Sequence, residues 1–251
     1  MTGDTHFDAD RDYFAAIAES YDRIQPIIAG PSYRAGLAFL LELVPRESDE
    51  AFTFVELGCG TAALTQSLLE RFRSANSAAI DSETAMLHIA RAQLSPYGDR
   101  AEVLQADVLT CDIPACDLVL SSFMFHHVPP DRLSETFSRV AGALTPGGCL
   151  ILLDTMQVGP RWAERIGAQS RRLYRQHVAA AISAGTVTQA EIDARWAFKQ
   201  KMKQEGKDVE YRYSAEDILN SMCEAGFDEV GLVWRQFAST IVTGFVPDKR
   251  E

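Results

Sequence analysis

The residues best suited to chemistry sit in a glycine turn, Glu56-Leu57-Gly58-Cys59-Gly60-Thr61-Ala62-Ala63, which follows an apolar run and opens a helical pattern. Gly58-x-Gly60-x-x-Ala63 fits the loose fingerprint in which glycines let backbone approach a ligand at the positive N-terminus of a helix. Glu56 narrows the ligand. A carboxylate two residues before the turn disfavours a doubly anionic pyrophosphate and suits a ligand that carries an ammonium and a sulfonium. The next acid at a strand end is Asp81, 21 residues after Gly60, where a carboxylate accepts from both ribose hydroxyls; its competing reading is a helix N-cap. His126 and His127 follow a later apolar run, and either imidazole can take a proton from a hydroxyl or an ammonium. The bland alternative packs one of them under the next turn and leaves the other to solvent.

Positioning these groups requires a repeating scaffold, and short apolar runs recur at 52–57, 77–80, 101–105, 117–122 and 149–154. Amphipathic stretches of helical length, 62–73 and 83–94, separate them. Strands alternating with helices imply a parallel sheet with right-handed crossovers, helices on both faces and ligands at the C-terminal strand ends. The rhythm breaks after Asp154. Residues 155–213 are helical in pattern, interrupted at Gly185 and Gly206, and two strand-like runs at 229–234 and 239–245 close the chain. The four residues between those runs suffice for an antiparallel hairpin and not for a helical crossover.

On these residues the chain resembles the class I S-adenosylmethionine-dependent methyltransferases. VELGCGTA resembles their first motif, AAIDSETAML the second, LQADVLT the third, CDLVLSSFMFHHV the fourth and LTPGGCLILLD the turn and fifth strand; a late AGF matches the approach to their antiparallel seventh strand. The resemblance implies a Rossmann-like α/β fold: a seven-stranded, mostly parallel sheet with an antiparallel last strand, helices on both faces and a helical cap insertion. Residues 1–154 would hold N-terminal helices and the cofactor core, 155–213 the cap over the substrate site, and 214–251 the end of one methyltransferase domain. With S-adenosyl-L-methionine as the implied cofactor, Gly58, Cys59 and Gly60 would bring backbone against the methionine moiety, and Glu56 would orient the turn or meet the amino group through water. Asp81 would hold the ribose, with Ser82 and Met86 beside the adenine, Asp107 accepting from the adenine amino group and the Val108 amide donating to the ring. Ser121 and Ser122 would line the methionine end. Two positions depart from the family pattern: Ala62 stands where many members have a third glycine, and Glu83 where many have serine.

The resemblance leaves the methyl acceptor open. The N-terminal segment with Tyr13, Phe14, Tyr21 and Asp22 resembles the helix that folds over the cofactor in many small-molecule methyltransferases, so Tyr13 and Tyr21 are substrate-site candidates, and Tyr21 joins His126 and His127 as a catalytic candidate; an amphipathic core helix is the other reading. Residues 155–213 carry +5, against −16 for the rest of the chain. Five arginines fall within 161–175, with Trp162 and Tyr174 among them. In a cap, Trp162, Arg165, Arg172 and Tyr174 would suit an aromatic or carboxylate-bearing acceptor; otherwise the run is a solvated face or a subunit contact through which a homodimer would form. The expected function is methyl transfer to a small molecule, with a carboxy-S-adenosylmethionine synthase of tRNA modification and a non-catalytic cofactor-binding subunit as alternatives. A net charge of −11 argues against broad nucleic-acid binding, which draws on Lys and Arg. An acidic N-terminus and the lack of a ~20-residue apolar stretch point to a cytoplasmic chain that neither inserts in membranes nor carries a secretory leader. Five scattered cysteines without a C-x-x-C pair suggest neither disulfides nor a metal site.

Overall fold

A computed structural model describes residues 14–248; Tyr13 lies outside them. The five apolar runs become β1 (Thr53–Leu57), β2 (Asn76–Asp81), β3 (Ala101–Gln105), β4 (Cys116–Ser122) and β5 (Leu144–Thr155), and the closing runs become β6 (Asp228–Gln236) and β7 (Ser239–Phe245). They form one sheet in the order β3-β2-β1-β4-β5-β7-β6. The first five strands pair in parallel, whereas β7 runs antiparallel to both β5 and β6. Successive strands are added to one side of β1 and then, from β4 on, to the other, which opens a crevice at the C-terminal ends of β1 and β4, where such sheets bind ligands. The last hairpin is tighter than its pattern suggests. Arg235 and Gln236 continue the ladder opposite Thr240 and Ser239, leaving a two-residue turn that Phe237 closes with φ 58.

Helices cover both faces, as a parallel sheet requires. On one side α2 (Pro31–Leu43), α3 (Ala63–Arg71) and α4 (Thr84–Leu94) place Leu40, Leu68 and Leu87 against Phe54, Leu118 and Ile151. On the other, α5 (Leu133–Ala143) and α8 (Ala215–Glu224) place Phe137, Ile218 and Met222 against Val55, Val119 and Leu150. Each of these strand residues is at most 2% exposed, so β1, β4 and β5 are buried on both faces and hold their C-terminal ends rigidly.

Residues 155–213 are two helices, α6 (Pro160–Ser183) and α7 (Gln189–Gln204). Gly185 and Gly206, at φ 69, follow their C-termini, and a Thr188–Glu191 capping box starts α7. A short helix, α1 (Tyr21–Ile28), joins them to the sheet: its Ile24 and Ile27 pack with Val178 of α6 and Ile192 of α7. Among the described residues no helix is long and apolar enough to cross a membrane.

Candidate active site

The turn between β1 and α3 is built from left-handed residues. Gly58, Gly60 and Ala62 have φ of 70, 53 and 63. A Cβ on Gly58 would stand 2.4 Å from Met124 Cγ, whereas one on Gly60 would meet nothing within 4 Å. Gly58 is thus required by close packing, and Gly60 leaves open space beside the turn. Ala62 keeps the left-handed shape without a glycine, fully buried, at a cost of about 1–2 kcal/mol that the surrounding packing sustains. The amides of Gly58 and Cys59 both donate to the Ile80 carbonyl (2.9 and 3.0 Å), which ties the turn to β2.

Glu56 is 1% exposed and is a strut rather than a surface charge. Its Oε2 accepts from the backbone N–H of Thr65 at 2.9 Å and from the Thr65 hydroxyl. The geometry commits this oxygen to Thr65 in the first turn of α3. Burial pushes its pKa up to about 8 against the pull of the Thr65 hydrogen bonds, and Asp81 adds to the rise. The electrostatic exclusion of a pyrophosphate therefore does not rest on a carboxylate presented to the cleft.

Asp81 ends β2 and faces the crevice. Its Oδ2 accepts from Gly60 N–H at 2.8 Å and its Oδ1 from Glu83 N–H at 2.9 Å. The N-cap of α4 is Glu83, which accepts from Ala85 N–H at 3.0 Å, and not Asp81, which instead braces the capping residue through its N–H. Burial raises the Asp81 pKa and the backbone donors of Glu83 and Gly60 oppose it. A carboxylate has about four acceptor sites, more than its backbone donors fill, and the remainder is what a pair of ribose hydroxyls would use. Asp81, Ser82, Met86 and Val108 line one cleft with Gly58 and Gly60, and Ser122 lines it at the β4 end.

Ser121, Cys59 and Asp107 do not line this cleft with their side chains. Ser121 is fully buried and donates its hydroxyl to the Leu57 carbonyl at 2.9 Å, pinning β4 to β1, because successive strand residues face opposite sides. Cys59, 6% exposed, packs with Leu64 and Leu68 under the turn. Asp107 turns its Oδ1 back to Leu109 N–H at 2.8 Å, shaping the loop that presents Val108.

The histidines stand where this cleft opens into a second chamber. His127 lines both, together with Phe14, Tyr21 and Phe123. Its Nδ1 lies 2.9 Å from the Val209 carbonyl. A carbonyl only accepts, so Nδ1 carries the proton and Nε2 keeps a lone pair in the neutral ring. His126 does not line the cofactor cleft; it lines the second chamber and an adjoining pocket beside Met156 and Tyr211. Its Nδ1 is 2.6 Å from Asp154 Oδ1 and its N–H donates to Asp154 Oδ2 at 3.0 Å. Burial would lower the His126 pKa, yet the Asp154 carboxylate outweighs it and the net shift is upward. The chamber also contains Tyr33 stacked on Phe123 (4.9 Å between centroids), Trp196, and Lys199 paired with Glu210 at 2.8 Å. That pair overcomes the effect of burial on Glu210 and holds its carboxyl down at about 2. Phe123 itself is left-handed, φ 54, at the end of β4, a strained position of the kind that clusters at functional sites.

Asp154, Tyr33, Phe123, Lys199 and Glu210 were not among the sequence candidates. Asp154 carried the same signal as Asp81, an acid at a strand's C-terminal end. Conversely, the structure does not bring Trp162, Arg165 or Arg172 to either chamber. Trp162 is 61% exposed and all five arginines of α6 face solvent, because the packed side of this amphipathic helix is the one bearing Val178. Tyr174 is half-buried behind the chamber wall, where its hydroxyl accepts from Trp196 Nε1 at 2.7 Å. Among the described residues no group of three or more His, Cys, Asp or Glu is placed to hold a metal ion.

Comparison with known proteins agrees with this architecture. Residues 54–148 match a family model described as a methyltransferase domain. A carboxy-S-adenosyl-L-methionine synthase of Campylobacter lari is 24% identical over 124 residues, 49% of this chain and 53% of that protein. The synthase of Stutzerimonas stutzeri is 33% identical over 110 residues, 41% of this chain and 44% of that protein. The chain thus spans about half the length of the curated relatives it matches. An O-methyltransferase family protein from Burkholderia thailandensis shares the fold, with a TM-score of 0.62 and 17% identity over 96% of this chain and 60% of that one.

Proposed function

We propose, from the premise that this chain is a class I S-adenosylmethionine-dependent methyltransferase, that it transfers a methyl group to a small aromatic or acidic acceptor held beside His127. The observation that carries this reading is a cleft with the glycine turn and Asp81 at one end and His127 at the other, opening into a chamber walled by aromatic rings that His126 also lines. The residues present fit the cofactor: open space at Gly60, spare lone pairs on Asp81, and the apolar sides of Met86 and Val108 for a flat ring.

When bound, S-adenosylmethionine supplies a methyl group on a cationic sulfur. The chain then has three tasks. Asp81 accepts from the ribose hydroxyls, and the turn at Gly58 and Gly60 admits the methionine part. Tyr33 and Phe123 orient the acceptor, since positioning of the nucleophile accounts for a large share of the rate in a displacement of this kind. His127 Nε2 takes the proton from a hydroxyl or ammonium acceptor, with Nδ1 held in place by Val209. His126, fixed by Asp154, lies 4.2 Å away ring to ring and shapes the far side. With the arginines of α6 facing solvent, support for an acidic acceptor reduces to Lys199, and support for an aromatic one rests on the ring walls.

The names of the curated relatives favour a second reading, a carboxy-S-adenosyl-L-methionine synthase, in which the cofactor itself is modified. Incubation with methyl-labelled S-adenosylmethionine and a small-molecule extract, followed by mass spectrometry, separates the two. Label on a small acceptor supports methyl transfer. A carboxylated cofactor supports the synthase, and cofactor binding without any product supports a non-catalytic subunit.

A further inference from the structure

Helix α1 does more than shield the cleft. Asp22 Oδ1 accepts from the Thr61 hydroxyl at 2.6 Å, inside the glycine turn, and Oδ2 accepts from Gln93 Nε2 of α4 at 2.7 Å. The next residue on either side is also committed. Tyr21 lines both the cofactor cleft and the second chamber, and Arg23 reaches the α6–α7 connection, donating to the Thr186 carbonyl at 3.2 Å and pairing with Glu191 at 2.6 Å. Farther along, Gln25 accepts from Arg195 of α7 at 3.1 Å. The apolar contacts repeat the pattern: Ile17 and Ala18 sit between Met86 of the cofactor cleft and Met202 of α7. One short segment thus touches the cofactor turn, the adenine-side helix and the helical insertion.

We propose that Asp22 is a positioning residue that latches this segment to the glycine turn, so that the residues facing the acceptor are set in place by the same contact that shapes the cofactor site. The inference rests on the cofactor reading above. Thr61 lies between Gly60 and Ala62, both left-handed, and its hydroxyl is the handle by which α1 can hold that turn with Gly60 N–H aimed at Asp81. Releasing the latch leaves every cofactor-contacting side chain intact while loosening the roof over the site, so its signature is faster cofactor dissociation rather than loss of fold.

The test uses S-adenosylhomocysteine as probe, with affinity by calorimetry and dissociation rate by chase with unlabelled ligand. Asp22→Ala and Thr61→Val should each weaken binding about tenfold, mostly through faster dissociation. The double variant should be no weaker than Asp22→Ala alone, because Thr61→Val removes only a contact that Asp22→Ala has already removed, whereas Asp22→Ala also releases Gln93. Asp22→Asn, which keeps an acceptor for Thr61, should restore most of the affinity. Multiplying effects of Asp22→Ala and Thr61→Val, or unchanged dissociation in Asp22→Ala, would overturn the latch. Failure of the wild-type protein to bind the probe would instead overturn the cofactor reading, and the latch with it.

Discussion

Replacing Asp81 by asparagine probes two roles at once. In the wild-type protein each carboxylate oxygen accepts a backbone N–H, from Gly60 at 2.8 Å and Glu83 at 2.9 Å. Asparagine has one acceptor oxygen and one amide group that can only donate, so one of those N–H groups loses its partner. A buried donor left unsatisfied costs about 1–3 kcal/mol, and at roughly 2–4 °C per kcal/mol for a chain of this size the melting temperature should fall by about 2–12 °C. The ligand side is separable from the fold side. Losing the charge turns hydrogen bonds worth ~1.5–3 kcal/mol each into neutral ones of ~0.5–1.5 kcal/mol, so two ribose hydroxyls together should weaken S-adenosylhomocysteine binding by about tenfold or more. Calorimetry well below the variant's melting temperature reads this directly. A folded Asp81→Asn protein with wild-type affinity would refute the assignment of Asp81 to the ribose.

Three further outcomes follow from the geometry. Gly58→Ala places a Cβ 2.4 Å from Met124 Cγ at φ 70, so chemical denaturation should show a loss of about 2–4 kcal/mol and cofactor affinity should fall with it; a neutral substitution would refute the packing. Glu56 has its folded pKa raised from 4.5 to about 8, so its contribution is complete below pH 4.5 and is lost as pH rises toward 8. Relative to Glu56→Gln, the wild-type protein should lose up to about 5 kcal/mol across that window, and parallel stability profiles from denaturation at each pH would contradict it. For catalysis, His127→Ala should slow transfer to a hydroxyl or ammonium acceptor by about 100-fold or more with cofactor affinity unchanged, whereas Arg165→Ala and Arg172→Ala should leave both affinity and turnover as they are.

The centre of the sheet was readable from sequence because β1, β4 and β5 are buried on both faces and so appear as apolar runs, and because Gly58, Gly60 and Gly206 mark turns that other residues take only under strain. Asp81 was readable from its distance to Gly60. What escaped was contact across the chain. Glu56 and Thr65 are nine residues apart, and nothing in their spacing says that the acid turns inward to cap the next helix rather than outward to a ligand. The His126–Asp154 pair joins residues 28 apart through adjacent parallel strands, a relation visible only once β4 and β5 are in register. The arginines of α6 misled for the opposite reason: charge clustering is local, but which side of a helix meets the core depends on the apolar residues of its neighbours, here Ile24 and Ile27 of α1.

The account depends most on the claim that the crevice at the ends of β1, β2 and β4 holds S-adenosylmethionine. A crystal structure with S-adenosylhomocysteine tests it most directly. Both ribose hydroxyls should lie within about 3 Å of the Asp81 carboxylate, with the adenine between Met86 and Val108 and the sulfur directed toward His127. A ligand bound elsewhere, or one whose ribose bypasses Asp81, would contradict it.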